Sequence, residues 1–363
     1  MSSTRKAANV ADSGDARATI RDVAARAGVS VATVSRVLNG TYAAPVDTTD
    51  KVMRAVSDLD YVTNASARAL TTTKTRTVGI VVPSLTSSFF MNVAAGVEEQ
   101  AYADGHMCVV ASTQGDPARE LSALTMMRER GVDVLVLTGG GLAQSAEHEG
   151  RVALLARSLR STGTQLVVCA RPTFPTAAGI AAISVSFDNH GGAYAATRHL
   201  LAAGHTRIAY LGGRDAHTFT PARVDGYRQA LADHGVAVTP ELISSGPMRR
   251  GEAYDRTLGL LGVPGGFTAL FAATDSVAAS AIAALGKAGY AVPGDISIVG
   301  FNDDPVAAEL TPALTTVHVP QAELGRMAVR EALHPTGAPA VERDPIVLGT
   351  HVVVRDSVRT LPR

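Results

Sequence analysis

A small all-helical module followed by a two-part α/β body is the fold that the sequence predicts, on three observations. Between Thr19 and Asp60, apolar residues recur at helical spacing in three short stretches. From Val78 onward, continuous apolar runs alternate with helix-length amphipathic segments, as buried parallel strands and their crossover helices do. After Ala181 that alternation starts again. A chain of 363 residues has room for two or three domains, at roughly 100–200 residues each. With 46% apolar and 18% charged residues it can bury sizeable cores and is not globally disordered.

Composition removes several classes. Cys108 and Cys169 are too few for a disulfide framework or a zinc site, and a reducing cytosol is the expected compartment. No run of about 18 apolar residues is present, so no membrane span is expected, and Met1–Lys6 lacks the apolar stretch of a secretory signal. The net charge of zero hides a split. Residues 1–76 carry 11 Lys and Arg against 7 Asp and Glu, +4, so the remaining 22 against 26 give −4. A mildly basic head on an acidic body points to a nucleic-acid-binding module attached to something else.

The first 18 residues lack periodicity and read as a flexible tail. Thr19-Ile-Arg-Asp22 starts a helix, with the Thr hydroxyl as cap and an acid in the first turn. Ile20, Val23, Ala24 and Ala27 share one face, and Gly28 supplies the positive φ of a sharp turn. Ser30 caps a second helix, Val31–Leu38, whose Val34 and Val37 point back at the first. Two helices crossing steeply at a short turn need this small residue, turn and anchor. Val31, Ala32, Thr33, Ser35, Arg36 and Asn39 are left on the outer side, a set able to enter a major groove. The same spacing also fits a plain three-helix module with solvated polar residues. Asn64–Leu70 is a helix-compatible segment too short to be stable alone. Its Leu70, beside Arg68, suits a minor-groove wedge that orders on DNA; otherwise it is a linker leucine packed on the body.

In the body, Val78–Val82, Val109–Ala111, Val132–Leu137 and Leu166–Val168 are the strands expected in the first half. Ile183–Phe187, Ile208–Leu211, Ala269–Phe271 and Ile296–Val299 are those of the second, with helices over Gly191–Ala203 and Ser276–Ala288. Two such units in series make a cleft between them.

At residue level the chain resembles the lactose/galactose repressor (LacI/GalR) family. The resemblance is carried by Ala18–Ser30, Thr33–Asn39 and Ala67–Leu70, then by Val78-Gly-Ile80, Asp188-Asn189, Gly204–Ile208, Arg223–Gly226, Val299–Asn302 and Thr311–Val317 in the family's order. It implies a helix–turn–helix repressor whose α/β body of two doubly wound parallel-sheet subdomains is periplasmic-binding-protein-like. The expected boundaries are a tail to 18, a DNA-binding domain over 19–63, a hinge helix and linker over 64–76, and an effector-binding and dimerisation body over 77–363. Within the body the first subdomain takes about 77–181 plus 319–341, the second about 182–318 plus 342–363.

The resemblance implies site residues too. Val31, Ala32 and Arg36 take the base-reading slots, Ser35 and Asn39 lie near phosphate, Thr19, Ser30, Thr33 and Arg68 complete the DNA-contacting set, and Leu70 matches the leucine inserted at the operator centre. Val31 and Ala32 make no side-chain hydrogen bonds, so Arg36 carries most of the direct readout. In the cleft, Phe89 and Phe90 match a loop whose aromatics stack on a ring, Arg223 matches an effector-binding arginine, and Thr274-Asp275 and Asn302-Asp303 match contact loops. Core packing for the phenylalanines and helix capping for Asp275 are the bland alternatives. Ala170 and Asn302 stand where many members have acids, which leaves room for a nucleoside or carboxylate ligand beside the sugar expected from the family. Arg171 and His217 are further candidates for the wall.

The partners expected are a double-stranded operator, a small-molecule effector and a second copy of the chain, with no cofactor, metal or membrane. One helix–turn–helix reads only a few base pairs, which favours a dimer over a near-palindrome, and Val352–Arg363 has no leucine-heptad tail for tetramers. An α/β enzyme with a DNA-binding appendage is the rival. G-x-G-x-x-G, Walker-A, H-E-x-x-H and G-x-S-x-G patterns are all missing, so catalysis is not expected. A DNA-binding regulator without a ligand is the third reading.

Overall fold

A computed structural model describes residues 18–39, 45–61, 75–139, 145–171, 180–213, 218–335 and 344–362. The chain divides into two compact units, Met1–Thr75 and Arg76–Arg363. The expected tail through residue 17, Arg68 and Leu70 of the hinge, and His217 lie outside the described residues.

The first unit holds helices α1 (Ile20–Ala27), α2 (Val31–Asn39) and α3 (Val46–Asp58). Val23, Ala24, Val34, Val52 and Ala55 are its buried centre, and Ile20, Ala27, Val37 and Leu38 pack against them, as the helical spacing requires. Asp22 closes the first turn of α1 by accepting from the Thr19 hydroxyl at 2.7 Å and the Thr19 N–H at 2.8 Å. Those two bonds, the hydroxyl's first, hold the Asp22 carboxyl below its ordinary range. Gly28 stands at φ 68°, where a side chain would strain the turn, and Val29 N–H returns to the Ala24 carbonyl at 3.1 Å. Ser30 Oγ then accepts from Thr33 N–H at 3.1 Å and starts α2.

The second unit contains two parallel sheets. The first has six strands in the order β11-β5-β4-β3-β1-β2 and the second has four, β7-β6-β8-β9. Their ranges are β1 Thr77–Val82, β2 Met107–Ser112, β3 Val134–Thr138, β4 Gln165–Cys169, β5 Ile183–Phe187, β6 Ile208–Gly212, β7 Ile243–Ser245, β8 Ala269–Ala272, β9 Ser297–Val299 and β11 Ile346–Leu348. β10 (Thr316–His318) and β12 (His351–Val353) form a separate antiparallel pair. Helices α4 (Ser88–Ala103), α5 (Pro117–Arg130), α6 (Ala146–Ser161) and α12 (Gln321–Leu333) belong with the first sheet, and α7 (Asn189–Ala202), α8 (Thr220–Asp233), α9 (Arg250–Leu261), α10 (Asp275–Lys287) and α11 (Pro305–Glu309) with the second.

Two boundaries differ from the sequence-based expectation. Ile183–Phe187, expected to open the second subdomain, pairs with β4 through Val167↔Ile183 and so extends the first sheet. β11, expected in the second subdomain, pairs with β5 in the same sheet. An apolar run announces a strand but not its neighbour; strand partners are fixed by packing across the sheet. The lobes therefore join at three places: Phe187 to Asn189, His318 to Gln321, and Leu348 to His351. These crossings lie side by side. Asp188 N–H donates to the Leu348 carbonyl at 3.1 Å, and β10 pairs with β12 through His318↔His351.

Close helix contacts rest on missing side chains. A Cβ on Gly96 of α4 would stand 1.9 Å from the Ala322 carbonyl oxygen, and one on Gly325 of α12 would stand 2.1 Å from that of Val93. Asp275, fully buried at the start of α10, accepts from Asp304 N–H at 2.7 Å and from the Thr316 hydroxyl. It thus ties α10 to the β9–α11 loop and to β10. Burial is the largest influence on its carboxyl and pushes it up to about 7.

Two outcomes follow. Gly96→Ala should cost about 1–3 kcal/mol through overpacking, read as a lower urea midpoint at unchanged slope; an unchanged midpoint would show that the two helices can part freely. Because the folded-state pKa of Asp275 is raised, its contribution is fully present below the unfolded value and is lost as pH rises from about 4 to about 7. Asp275→Asn should therefore flatten the decline of melting temperature across that window, and parallel wild-type and variant profiles would refute the assignment.

Candidate functional site

Two surfaces carry candidate chemistry, one in each unit. On the first, the αL turn at Gly28 and the buried Val34 set which way α2 faces. With Val34 inward, Val31, Ala32 and Arg36 are exposed, and Thr33 and Ser35 are half-buried. Val31 and Ala32 present methyl groups at the start of the helix, and Arg36 follows one turn later with a planar guanidinium. Methyl contact with thymine and a bidentate bond to guanine are what such a face offers in a major groove. Thr19 and Ser30 serve their own helix starts, as described above, and Ser30 and Thr33 hydroxyls lie 2.8 Å apart. Asn39 ends α2.

In the second unit a cleft of about 690 Å³ opens where the two sheets present the carboxyl ends of their strands, the usual ligand position in such folds. Ser84, Thr86, Ser87 and Ser88 line it from the turn between β1 and α4; Pro247, Met248, Arg249 and Glu252 from the start of α9; Thr274 and Ser276 from the start of α10; and Asn302 and Asp304 from the loop after β9. Hydroxyls dominate, and among the described residues no aromatic ring takes part. Asn302 sits at φ 114° and is 6% exposed, and its Oδ1 is buried without a hydrogen-bond partner. Glu252 Oε2 is likewise buried and unpartnered. Asp304 is buried and accepts from Gln321 Nε2 at 3.1 Å, with Ser88 and Asn302 side chains also bonded to it. Burial outweighs those bonds and raises its carboxyl above the ordinary range.

Of the cleft residues expected from sequence, Thr274 and Asn302 lie on the wall. Thr274 also caps α10 through Val277 N–H at 3.3 Å. The others are placed elsewhere in this arrangement, each for a physical reason. Phe89 and Phe90 meet edge-to-face at 5.2 Å and pack on the core, where Phe89 also approaches Phe187 at 5.8 Å. Arg223, 3% exposed, donates from Nε to Asn189 Oδ1 at 2.9 Å and from Nη1 to the Ala273 carbonyl. Its guanidinium lies 3.7 Å from the Phe301 ring centre, a cation–π contact in a desolvated setting, and burial pulls its pKa down to about 10. Asp275 faces inward as a strut. Asp303 pairs with Arg355 at 2.7 Å and with His318 at 3.0 Å, which hold its carboxyl low against the opposing effect of burial. Arg171 binds Glu120 at 2.8 Å, and Glu120 also takes His148 at 2.8 Å.

Sequence reasoning missed Asp304, Glu252, Met248, Arg249 and the hydroxyl run Ser84–Ser87. The run is visible directly after the first strand, and the rule that ligands gather at strand carboxyl ends would have found it. Glu252 carries no comparable signal, because an isolated acid near a helix start reads as a charge on the helix dipole.

Comparison with known proteins agrees with this architecture. Residues 19–64 match the family described as bacterial regulatory proteins, lacI family, and residues 197–358 match the periplasmic binding protein-like domain. The HTH-type transcriptional repressor PurR of Photobacterium profundum is 32% identical over 345 residues, covering 95% of this chain and 99% of its own. The ribose operon repressor of Haemophilus influenzae is 31% identical over 350 residues, with the same coverages. Among solved structures, a transcriptional regulator CelR–cellobiose complex is 29% identical with a TM-score of 0.66, covering 94% of this chain and 100% of that one. The lac repressor dimer bound to operator and the anti-inducer ONPF, at 22% identity, matches in fold with a TM-score of 0.79, over 95% of this chain and 100% of that one. A helix–turn–helix head, a cleft between parallel sheets and relatives matched along nearly their full length lead to one conclusion: the chain belongs to the LacI family, DNA-binding transcriptional regulators with a small-molecule effector domain, and is not an enzyme.

Proposed function

We propose that the protein is a repressor that binds a pseudo-palindromic operator as a homodimer in the cytoplasm, and that a sugar seated in the cleft controls this binding. The observation that carries the reading is the hydroxyl-lined cleft of about 690 Å³ between the two sheets, a size ordinary for small-molecule sites. Hydroxyl, amide and carboxylate groups of this kind exchange hydrogen bonds with sugar hydroxyls. Cellobiose in the CelR structure and the name of the ribose operon repressor support a saccharide. Val31, Ala32 and Arg36 read bases, with Thr19, Ser30, Thr33, Ser35 and Asn39 nearer the phosphates and Arg68 and Leu70 in the minor groove. Thr274 and Asn302 touch the effector directly. Phe89, Phe90, Arg223, Asp275 and Asp303 support that surface from behind.

A second copy fits the exposed edge of the first sheet. β2 is its outermost strand, Met107 and Val110 on it are exposed, and Tyr102 at the end of α4 is 79% exposed. An uncovered apolar edge invites a partner, and two heads reading two half-sites need one. Control then follows from linkage: an effector shifts operator affinity only by as much as it prefers one lobe arrangement over another.

Arg36→Ala should weaken binding to an operator selected from random duplex DNA by about 1–3 kcal/mol and relax specificity at one base pair, measured by fluorescence anisotropy at fixed salt. Equal loss on all sequences would reassign Arg36 to phosphate. Sedimentation velocity at micromolar protein should show a dimer, and the double substitution Tyr102→Glu, Met107→Glu should yield monomers that melt as a folded body. A wild-type monomer would refute the dimer.

A further inference from the structure

Two histidines meet where the chain crosses between the lobes. His318 is the last residue of β10, just before one crossing, and His351 is the first of β12, just after another. Antiparallel pairing sets them directly opposite each other through His318↔His351. Side chains so placed share one face of the pair, with Cβ atoms about 4.5–5.5 Å apart. Their ring centres stand 5.0 Å apart with the planes tilted by 38°. His351 is exposed and the His318 side chain is 38% exposed, so both imidazoles can be reached from solvent. Neither lines the effector cleft. The two are distant in sequence, so no metal-ligand spacing announces them.

Hydrogen bonding fixes which ring atom is available. His318 Nδ1 lies 3.0 Å from Asp303 Oδ2, and the other oxygen of Asp303 accepts from Arg355 Nη2 at 2.7 Å. Burial works against the charge of Asp303, but the bonds from Arg355 and His318 outweigh it and keep the carboxyl low. An ionised carboxylate can only accept, so Nδ1 carries the hydrogen and His318 Nε2 keeps its lone pair. A carboxylate behind an imidazole in this way orients metal-ligating histidines and raises their basicity. The ring of His351 makes no hydrogen bond or ion pair among the described residues. Two imidazoles on one tetrahedral ion, each with a bond of about 2.0–2.1 Å, hold their ring centres about 5 Å apart, which matches the separation of this pair. Among the described residues no group of three or more His, Cys, Asp or Glu could hold a metal, so the protein supplies two ligands and water the rest. Imidazole suits zinc, nickel and copper, whereas magnesium and calcium demand oxygen.

We propose that His318 and His351 form a two-histidine site for a divalent transition-metal ion such as zinc or nickel, with Asp303 orienting His318 from behind, and that an ion bound there clamps β10 to β12 at the hinge. Only three residue pairs hold that ladder, Thr316↔Val353, Val317↔Val352 and His318↔His351. A cross-link at the end nearest the crossings opposes its fraying. The site is separate from the effector cleft and stands or falls independently of it.

Calorimetric titration of the full-length protein, free of any histidine tag, with zinc, nickel and magnesium chlorides tests this. The expected result is one zinc or nickel ion per chain and no binding of magnesium. His351→Ala, at an exposed position, should weaken binding at least about tenfold with the metal-free melting temperature unchanged, because a chelate becomes a single ligand. Asp303→Asn should weaken it about 10- to 100-fold, the usual loss when the carboxylate behind a ligating histidine is removed. His334→Ala is the control: that histidine bonds Asp104 at 2.9 Å beyond the end of α12, and its loss should leave binding unchanged. With zinc bound, amide exchange in β10 and β12 should slow in the wild type and not in His351→Ala. No saturable zinc or nickel binding below about 1 mM would overturn the site. So would an unchanged affinity in His351→Ala, or a loss in His334→Ala as large as that in His351→Ala. Binding that leaves exchange in β10 and β12 unaltered would overturn the clamp.

Discussion

The geometry of the body depends on one buried carboxylate, Asp304, and the donors that surround it. It lies 5% exposed at the base of the cleft, and its side chain takes bonds from Gln321, Ser88 and Asn302. Gln321 and Ser88 begin helices of the first lobe, whereas Asp304 and Asn302 belong to the second. Asn92 on α4 holds Gln321 Oε1 at 2.7 Å, so the amide cannot turn away. The backbone N–H of Asp304 is in turn the donor that Asp275 accepts. Buried polar groups bonded in such a network polarise and strengthen one another, and here the bonds to Asp304 come from both lobes. The same residues therefore decide where the second lobe stands and what the cleft wall presents.

The two lobes are joined by three chain crossings. Three crossings are bonded to one another, through Asp188 N–H to Leu348, through the Thr350 hydroxyl to Asp188 at 3.3 Å, and through the β10–β12 pair. Strands tied in this way bend together, so each lobe moves as a body while the packing inside it is preserved. Gly96 against Ala322 and Gly226 against His190 show how tightly helices are pressed within each lobe. The soft coordinate is thus the angle between lobes.

The sequence made the fold legible because the fold depends on periodicity. All eight apolar runs named in the two halves became strands, and Gly28, Ser30 and Val34 took the turn, cap and anchor positions that their chemistry demands. Short strands escaped notice: β7, β10, β11 and β12 have three residues each, too few for a pattern. The misplaced β5 has a different cause, since alternation along a chain says nothing about which sheet a strand joins. At the cleft, the loops named from the family likeness supply Thr274 and Asn302 to the wall. Asn302 faces the cleft and its neighbour Asp303 turns to Arg355, a difference of one residue that positive φ at both positions decides. Arg223, which matches the family's effector-binding arginine, has its guanidinium held here by Asn189, the Ala273 carbonyl and the Phe301 ring. Which atoms stay unsatisfied emerges only from packing in three dimensions.

How strongly a ligand in this cleft can act on the head is bounded by arithmetic. Moving a two-state equilibrium from 1:99 to 99:1 takes about 5.5 kcal/mol of differential affinity. A single net hydrogen bond supplies about 0.5–1.5 kcal/mol. Several bonds must therefore exist in one lobe arrangement and be lost in the other, and only bonds that engage both lobes at once have that property. Ser84–Ser88 on one lobe and Thr274, Ser276, Asn302 and Glu252 on the other provide opposing sets. A ligand with donors and acceptors around its whole periphery can satisfy both sets in a single arrangement, whereas one with a single polar end is bound by one lobe and leaves the angle between them free.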